Sequence, residues 1–336
     1  VLIARLDNAG DVLLAGPAVR AVALAGCEVV MLCGPNGRAA AELLPGVSRV
    51  EVVDAPWSGY QAPAVDRQSL MCFVDRIASM RIDEAVILTS FHQSPLPLAL
   101  LLRMAKVPLI AAVSTDYPGT LLDRRLEDPG DVHEVERALA TVGALGYRLP
   151  TGDDGRMSMR VGASPPGLDQ PYVVIHSGAS VPARGLPRGL GRELAELLVT
   201  GGRTVVLTGE RSDRSSVIAA TDGERFGVID LFAATDFSQL AAVIAGADVL
   251  VCGNTGPAHI AAAVGTPVVS VFAPVVPAAR WRPWQVPHVL LGQQDIGCAG
   301  CRSRECPLPE QQCIAGITAT AVLDAILQLV ESVAAA

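Results

Sequence analysis

The chain has 336 residues, half of them hydrophobic and 18% charged, with a formal net charge of −8. Such a length can bury two cores of ordinary size, and such a balance excludes a disordered chain. The negative charge argues against a nucleic-acid partner, and the uncharged stretch 249–279 is cut by too many glycines and prolines to be a membrane-spanning helix of about 20 residues.

Val1–Arg5 reads as the first strand of a parallel sheet, Leu6–Gly10 as a loop, and Asp11–Ala25 as a helix with one apolar face. Asp11 stands at that helix's start, as an N-cap or as a first-turn carboxylate. Alternation continues through a strand at Glu28–Leu32, a helix near Gly37–Leu44 and a strand at Arg49–Val53. A Pro/Gly/Ser loop at Ala55–Ala64 leads into a helix over Asp66–Met80. The strand Glu84–Thr89 ends at His92, where doubly wound sheets bind ligands, although a lone histidine is more often an ordinary loop residue. A helix at Leu98–Ala105, which runs up to Lys106, the single lysine, a strand at Leu109–Val113 and an amphipathic helix at Asp131–Leu145 complete a first domain over 1–150.

Between Tyr147 and Gln170 periodicity is lost and Gly, Pro, Asp and Ser collect, as in a linker. The alternation restarts at Tyr172–His176, giving a second α/β domain over 171–315 and a final helix over 316–336. Ser177, Gly178, Ala179 and Ser180 form a loop that can offer N–H and hydroxyl donors to a phosphate, with Arg184 close behind. Thr204–Leu207 is a strand that Thr208, Gly209 and Glu210 leave; a carboxylate there can accept from ribose hydroxyls. The most informative stretch is 248–274, DVLVCGNTGPAHIAAAVGTPVVSVFAP: strand, Gly-rich loop, helix and strand. Free N–H groups and the positive helix end converge after Gly253, at Asn254, Thr255 and Gly256, which suits a phosphate.

Four of the eight cysteines lie in apolar segments and read as small core residues. The others cluster as Cys298-x2-Cys301-x4-Cys306-x6-Cys313; they could hold Zn²⁺, pair as disulfides, or stand as unligated thiols. No charged segment followed by a cleavable apolar run opens the sequence, so a cytoplasmic protein is the expectation.

GNTGPAHIAAAVGTPVVSVFAP followed by RWRPW resembles the D-T-G-P-x-H signature of glycosyltransferase family nine, the ADP-heptose heptosyltransferases. VLIARLDNAGDVLLAGPAVRAV resembles that family's N-terminal motif, and HSGASVPARGLPRGLGRELAELL its H-P-G-A-S stretch. The resemblance implies GT-B architecture, two Rossmann-like domains facing across a cleft, with the last helix crossing back to the first domain. It implies an inverting transfer of heptose from ADP-heptose to an acceptor hydroxyl in lipopolysaccharide core synthesis, by a protein that can associate peripherally with the inner membrane. In that scheme the first domain binds a glycan or small-molecule acceptor, with Asp11 as base and His92 as an acceptor contact. The second binds the nucleotide sugar through Ser177, Gly178, Ser180, Arg184, Glu210, Asn254, Thr255, Gly256 and His259. No D-x-D-like pair flanks these residues, so neither a divalent ion nor another cofactor is required. Asn254 replaces the aspartate that opens the family signature, which puts the donor sugar in doubt. Rival readings are a natural-product glycosyltransferase, a nucleotide-sugar 2-epimerase, and a non-catalytic nucleotide-sugar-binding protein.

Overall fold

A computed structural model describes residues 1–168, 171–217 and 227–335. The chain divides into two compact units, Val1–Met159 and Arg160–Ala336.

The first unit contains strands β1 (Leu2–Arg5), β2 (Val30–Cys33), β3 (Arg49–Val52), β4 (Glu84–Leu88), β5 (Leu109–Val113) and β6 (Arg124–Leu126). They form one sheet in the order β3-β2-β1-β4-β5-β6, every neighbouring pair parallel. Its helices are α1 (Ala9–Leu14), α2 (Gly16–Leu24), α3 (Arg38–Leu43), α4 (Arg67–Ser79), α5 (Leu96–Met104) and α6 (Glu134–Gly143). The inner strands are almost wholly apolar because helices cover both faces of a parallel sheet. Leu2, Ala4, Leu32, Ala85 and Ile110 are fully buried, packed with Leu98 and Leu102 of α5 and Ile77 of α4.

The single helix expected over Asp11–Ala25 is two, separated at Ala15. Pro17 explains the break: it has no N–H to give the carbonyl of Leu13, and its ring crowds that carbonyl. Past α5, Lys106 takes a left-handed backbone (φ 63°) and is exposed, at the amino edge of the sheet where β5 begins. The first unit runs past residue 150 because the segment beyond is tied to α2. Arg20 forms a two-pronged ion pair with Asp153, 2.7 Å on each arm, and also donates to the carbonyl of Arg156.

The second unit contains β7 (Tyr172–His176), β8 (Thr204–Thr208), β9 (Val228–Asp230), β10 (Val249–Gly253), β11 (Val268–Val271) and β12 (His288–Leu291). Its helices are α7 (Leu190–Thr200), α8 (Arg214–Val217), α9 (Phe237–Ala245), α10 (Gly256–Val264), α11 (Ala278–Trp281), α12 (Gln312–Ala315) and α13 (Ala319–Ala334). The sheet order is β12-β11-β10-β7-β8-β9, again all parallel. Numbered within its own unit, this is the order of the first sheet read from the other side. Helix α13 starts with the Thr318 hydroxyl accepting from the N–H of Ala321. It buries Val322, Ile326 and Leu329 in one core with Val173, Leu194 and Val271. Among the described residues, no helix is long and apolar enough to cross a membrane.

In both sheets the first strand lies inside, and successive strands are added outward on either side of it. Each sheet therefore has a switch point, between β1 and β4 and between β7 and β10. Loops leaving adjacent strands there diverge to opposite faces and open a crevice at the carboxyl edge.

Candidate active site

The switch point of the first unit is built on one buried guanidinium. Arg5 ends β1 only 3% exposed, and it meets three carboxylates. Its Nε lies 2.8 Å from Asp7 Oδ2, Nη2 donates to Asp11 Oδ1 at 3.0 Å, and Nη1 donates to Glu134 Oε2 at 2.9 Å. Nη2 also donates to Ser90 Oγ at 3.0 Å, which joins the ends of β1 and β4. The Ser90 hydroxyl in turn donates to Asp7 at 3.2 Å, and the Gln93 amide donates to the other Asp7 oxygen at 2.5 Å. Glu134 is brought in by α6, whose start is fixed by a capping box between His133 and Glu136.

Burial pushes the Asp7 carboxyl above the usual carboxylate range, Arg5 pulling it back and Asp11 pushing it up again. Burial also works against the Arg5 charge, but Asp7, Asp11 and Glu134 outweigh it and hold the guanidinium protonated. The Asp7 side chain is 11% exposed and enclosed by Arg5, Ser90 and Gln93; that of Asp11 is 20% exposed. Of the two, Asp11 is the more exposed, and Arg5 fixes its position. The N-cap of α1 is Asn8, and Asp11 is a first-turn carboxylate. His92, on the loop leaving β4, is exposed, and its ring meets Phe91 edge-on at 5.3 Å. It sits beside the Ser90–Gln93 pair and outside the Arg5 contacts.

In the second unit, β7 and β10 end side by side, Cys252 opposite His176. Ser177 and Asn254 follow these strands, both buried, and neither Ser177 Oγ nor Asn254 Nδ2 finds a hydrogen-bond partner among the described residues. Buried polar atoms are nearly always satisfied, so two orphans at one switch point mark a place prepared for a polar ligand. The backbone N–H groups of Gly178, Ala179, Ser180 and Val181 also go unused among the described residues. Behind them, the glycine at 253 is required: a Cβ there would overlap the carbonyl oxygen of Arg184. Gly178 is packed equally closely on the carboxylate of Asp213, which accepts from the N–H of Glu210 at 2.8 Å.

Thr255 precedes α10, Gly256 begins it, and His259 is buried within its first turns. His176 is held neutral, its imidazole lowered to about 4 by burial, and it bonds Thr208 Oγ1 at 3.0 Å. Arg184 is half-buried in a 3₁₀ turn, while Ser180 and Glu210 are exposed. The structure thus gathers Ser177, Gly178, Asn254, Thr255 and Gly256 at one switch point. Ser180, Arg184 and Glu210 lie on the loops around it.

Loop charge differs between the units. In the first, segments 6–8, 34–37, 53–66, 89–95, 114–120 and 127–133 leave the carboxyl ends of the strands. They hold Asp7, Asp54, Asp66, Asp116, Glu127, Asp128 and Asp131, and no lysine or arginine. The equivalent segments of the second unit mix their carboxylates with Arg184, Arg188, Arg211, Arg302 and Arg304. An anionic ligand suits the second edge better than the first.

All eight cysteines are free thiols, with Cys298 and Cys301 exposed and Cys313 buried. Among the described residues no three His, Cys, Asp or Glu side chains are grouped to hold a metal ion. Cys252 is a core residue, its thiol pushed up to about 12 by burial.

Sequence reasoning missed Arg5, Asp7, Ser90, Gln93 and Glu134. One signal was visible: a charged residue ending an otherwise apolar strand, followed at once by an aspartate.

Two Rossmann-like domains, each with polar side chains gathered at its switch point, define the GT-B class of fold. The chain matches the model of Glycosyltransferase family 9 (heptosyltransferase) over residues 92–312 and belongs to that family. It is 32% identical over 179 residues to lipopolysaccharide heptosyltransferase 1 of Pseudomonas aeruginosa, covering 52% of this chain and 48% of that protein. It is 30% identical over 162 residues to lipopolysaccharide heptosyltransferase 3 of Escherichia coli K12, covering 45% and 47%. The chain thus spans about half the length of the curated relatives it matches. The fold is that of E. coli ADP-heptose LPS heptosyltransferase II, with a TM-score of 0.74, 19% identity and 99% of each chain covered. It is also that of an E. coli heptosyltransferase solved with ADP-2-deoxy-2-fluoro heptose, with a TM-score of 0.70, 20% identity and 97% and 98% covered.

Proposed function

We propose that this protein is an inverting glycosyltransferase that moves a sugar, heptose from ADP-heptose by family precedent, to an acceptor hydroxyl. The acceptor class follows the named relatives: a glycan of the lipopolysaccharide-core type. The observation that carries the reading is the pair of partnerless buried groups, Ser177 Oγ and Asn254 Nδ2, beside the unused N–H groups of 178–181. Together they are a donor-rich cradle for a diphosphate. Asn254 adds a donor where the family aspartate can only accept, and this keeps the identity of the sugar a separate question.

In the reaction, Asp11 takes the proton of the acceptor hydroxyl as its oxygen bonds the anomeric carbon. The bond from that carbon to the diphosphate oxygen breaks on the opposite face, and the nucleoside diphosphate leaves with the electron pair. The transition state resembles an oxocarbenium ion, as in glycosidic chemistry generally. Charge developing on the leaving group is met by the 178–181 amides, the start of α10 and Arg184. Arg5 keeps Asp11 in place.

The test is turnover of ADP-heptose with a panel of hydroxyl acceptors, followed by ADP release and the anomeric configuration of the product. Acceptor-dependent ADP release with inverted configuration is expected. Sugar interconversion without an acceptor, or ADP-heptose binding with no turnover, would reject the reading in favour of an epimerase or a silent binder. Nucleotide should also protect backbone amides from exchange chiefly in the second unit.

A further inference from the structure

The segment between β12 and α12, Gly292–Gln311, carries three of the clustered cysteines and forms neither strand nor helix. Uncovered excursions of that length are uncommon in compact domains and usually have a task. This one is strapped across the carboxyl edge of the second sheet. The Gln294 amide donates to the carbonyl of Phe272 at 2.9 Å, the N–H of Gly300 to Pro274 at 2.7 Å, and the N–H of Arg302 to Val275 at 3.0 Å. Its far end reaches the loop after β7. There Arg304 Nη2 donates to the carbonyl of Ser180 at 2.7 Å, the N–H of Ala183 donates to the carbonyl of Arg304 at 2.9 Å, and Gln311 Nε2 donates to the carbonyl of Ala183 at 2.7 Å.

These bonds decide which way the loop faces. A loop that receives a diphosphate must present N–H groups and keep carbonyl oxygens turned elsewhere, because a carbonyl dipole repels an anion. The carbonyls of Ser180 and Ala183 are claimed by Arg304 and Gln311, and that of Arg184 is lodged against Gly253. What stays open among the described residues is the run of N–H groups from 178 to 181, with the carbonyls of Gly178 and Ala179.

We infer that Arg304 and Gln311 are positioning residues for the donor diphosphate, acting through the Ser180–Arg184 loop. The inference rests on the donor site proposed above. It gives the cysteine-bearing segment a use that involves no thiol.

The experiment is calorimetric titration of the full chain with ADP and with inorganic pyrophosphate, beside the melting temperature without ligand. Arg304→Met and Gln311→Met are each expected to weaken both ligands about 3- to 10-fold, the value of one lost hydrogen bond. The melting temperature should hold in Arg304→Met, whose bond is exposed, and fall at most slightly in Gln311→Met, whose bond is partly buried. Gln311→Met changes no charge, so its loss separates positioning from simple attraction of an anion. Arg304→Lys, which can still donate to the Ser180 carbonyl, should recover most of the affinity. Unchanged affinity in Gln311→Met, or a lowered melting temperature with unchanged affinity, would overturn the inference. A wild-type protein that takes neither ADP nor pyrophosphate would instead sink the donor-site reading on which it stands.

Discussion

Asp11→Asn isolates chemistry from structure at the first switch point. Asn8 holds the N-cap position of α1 and Asp11 lies in its first turn, so the substitution removes a first-turn charge worth about 0.3–1 kcal/mol to the helix and leaves the cap residue in place. The carboxamide oxygen of asparagine can still accept from Arg5 Nη2, now 3.0 Å from Asp11. Asp7 and Glu134 continue to balance the guanidinium. The folded state therefore loses one carboxylate charge beside a buried guanidinium that keeps its hydrogen bond and two other carboxylates, a cost on the order of 1–3 kcal/mol. The proton acceptor, by contrast, is gone. General-base catalysis contributes about 10²–10⁴-fold, or roughly 2.7–5.4 kcal/mol of activation free energy. The assay is kcat at saturating ADP-heptose and acceptor, beside ADP affinity and the melting temperature. Expected is a fall in kcat of two to four orders (about 10²–10⁴) with ADP affinity preserved and the melting temperature lowered by roughly 10 °C at most. An unchanged kcat would reduce Asp11 to a partner of Arg5 and move the search for a base to His92. A fall in kcat matched by a large loss of stability would assign the effect to collapse around Arg5.

Gly253→Ala should cost about 1–3 kcal/mol in chemical denaturation and weaken ADP, because the new methyl meets a backbone carbonyl with nowhere to go; an unmoved midpoint would refute the close approach. Hydrogen bonds from Arg20 hold the Asp153 carboxyl below the usual carboxylate range. That stabilisation is present above the unfolded-state value of about 3.9 and is lost as the pH falls through the lower folded-state value. Asp153→Asn should therefore lower the melting temperature at pH 7, and the gap to wild type should close toward pH 3; a gap constant with pH would count against it. In a thiol titration of the native protein, exposed Cys72, Cys298 and Cys301 should react promptly and buried Cys33, Cys252 and Cys313 only after unfolding. Prompt reaction of Cys252 would contradict its place in the core.

Most of the fold was legible because parallel strands covered on both faces write themselves as short apolar runs between helical patterns. β1, β4, β5, β7, β8, β10 and β11 fall where the runs Leu2–Arg5 to Val268–Val271 suggest. The edge strands β6 and β12 were not legible: Arg124–Leu126 has no apolar run, and the short run Val289–Leu291 is only partly buried and lies among prolines, glycine and glutamines. The donor loops were legible as local motifs. The Arg5 cluster was not, because Arg5 meets Ser90 and Glu134 across 85 and 129 residues of sequence. Nor does a sequence tell why residue 253 is glycine: the reason is the carbonyl of Arg184, brought there by the pairing of β7 with β10.

The lone lysine has a practical consequence. Lys106 is exposed where α5 hands over to β5, at the amino edge of the first sheet, whereas Asp11 and His92 stand at its carboxyl edge. Amine-directed coupling to a bead, a sensor chip or a fluorophore finds one lysine side chain in the whole sequence. A molecule tethered there is held from behind, with the rim of that sheet that bears Asp11 turned toward the solution.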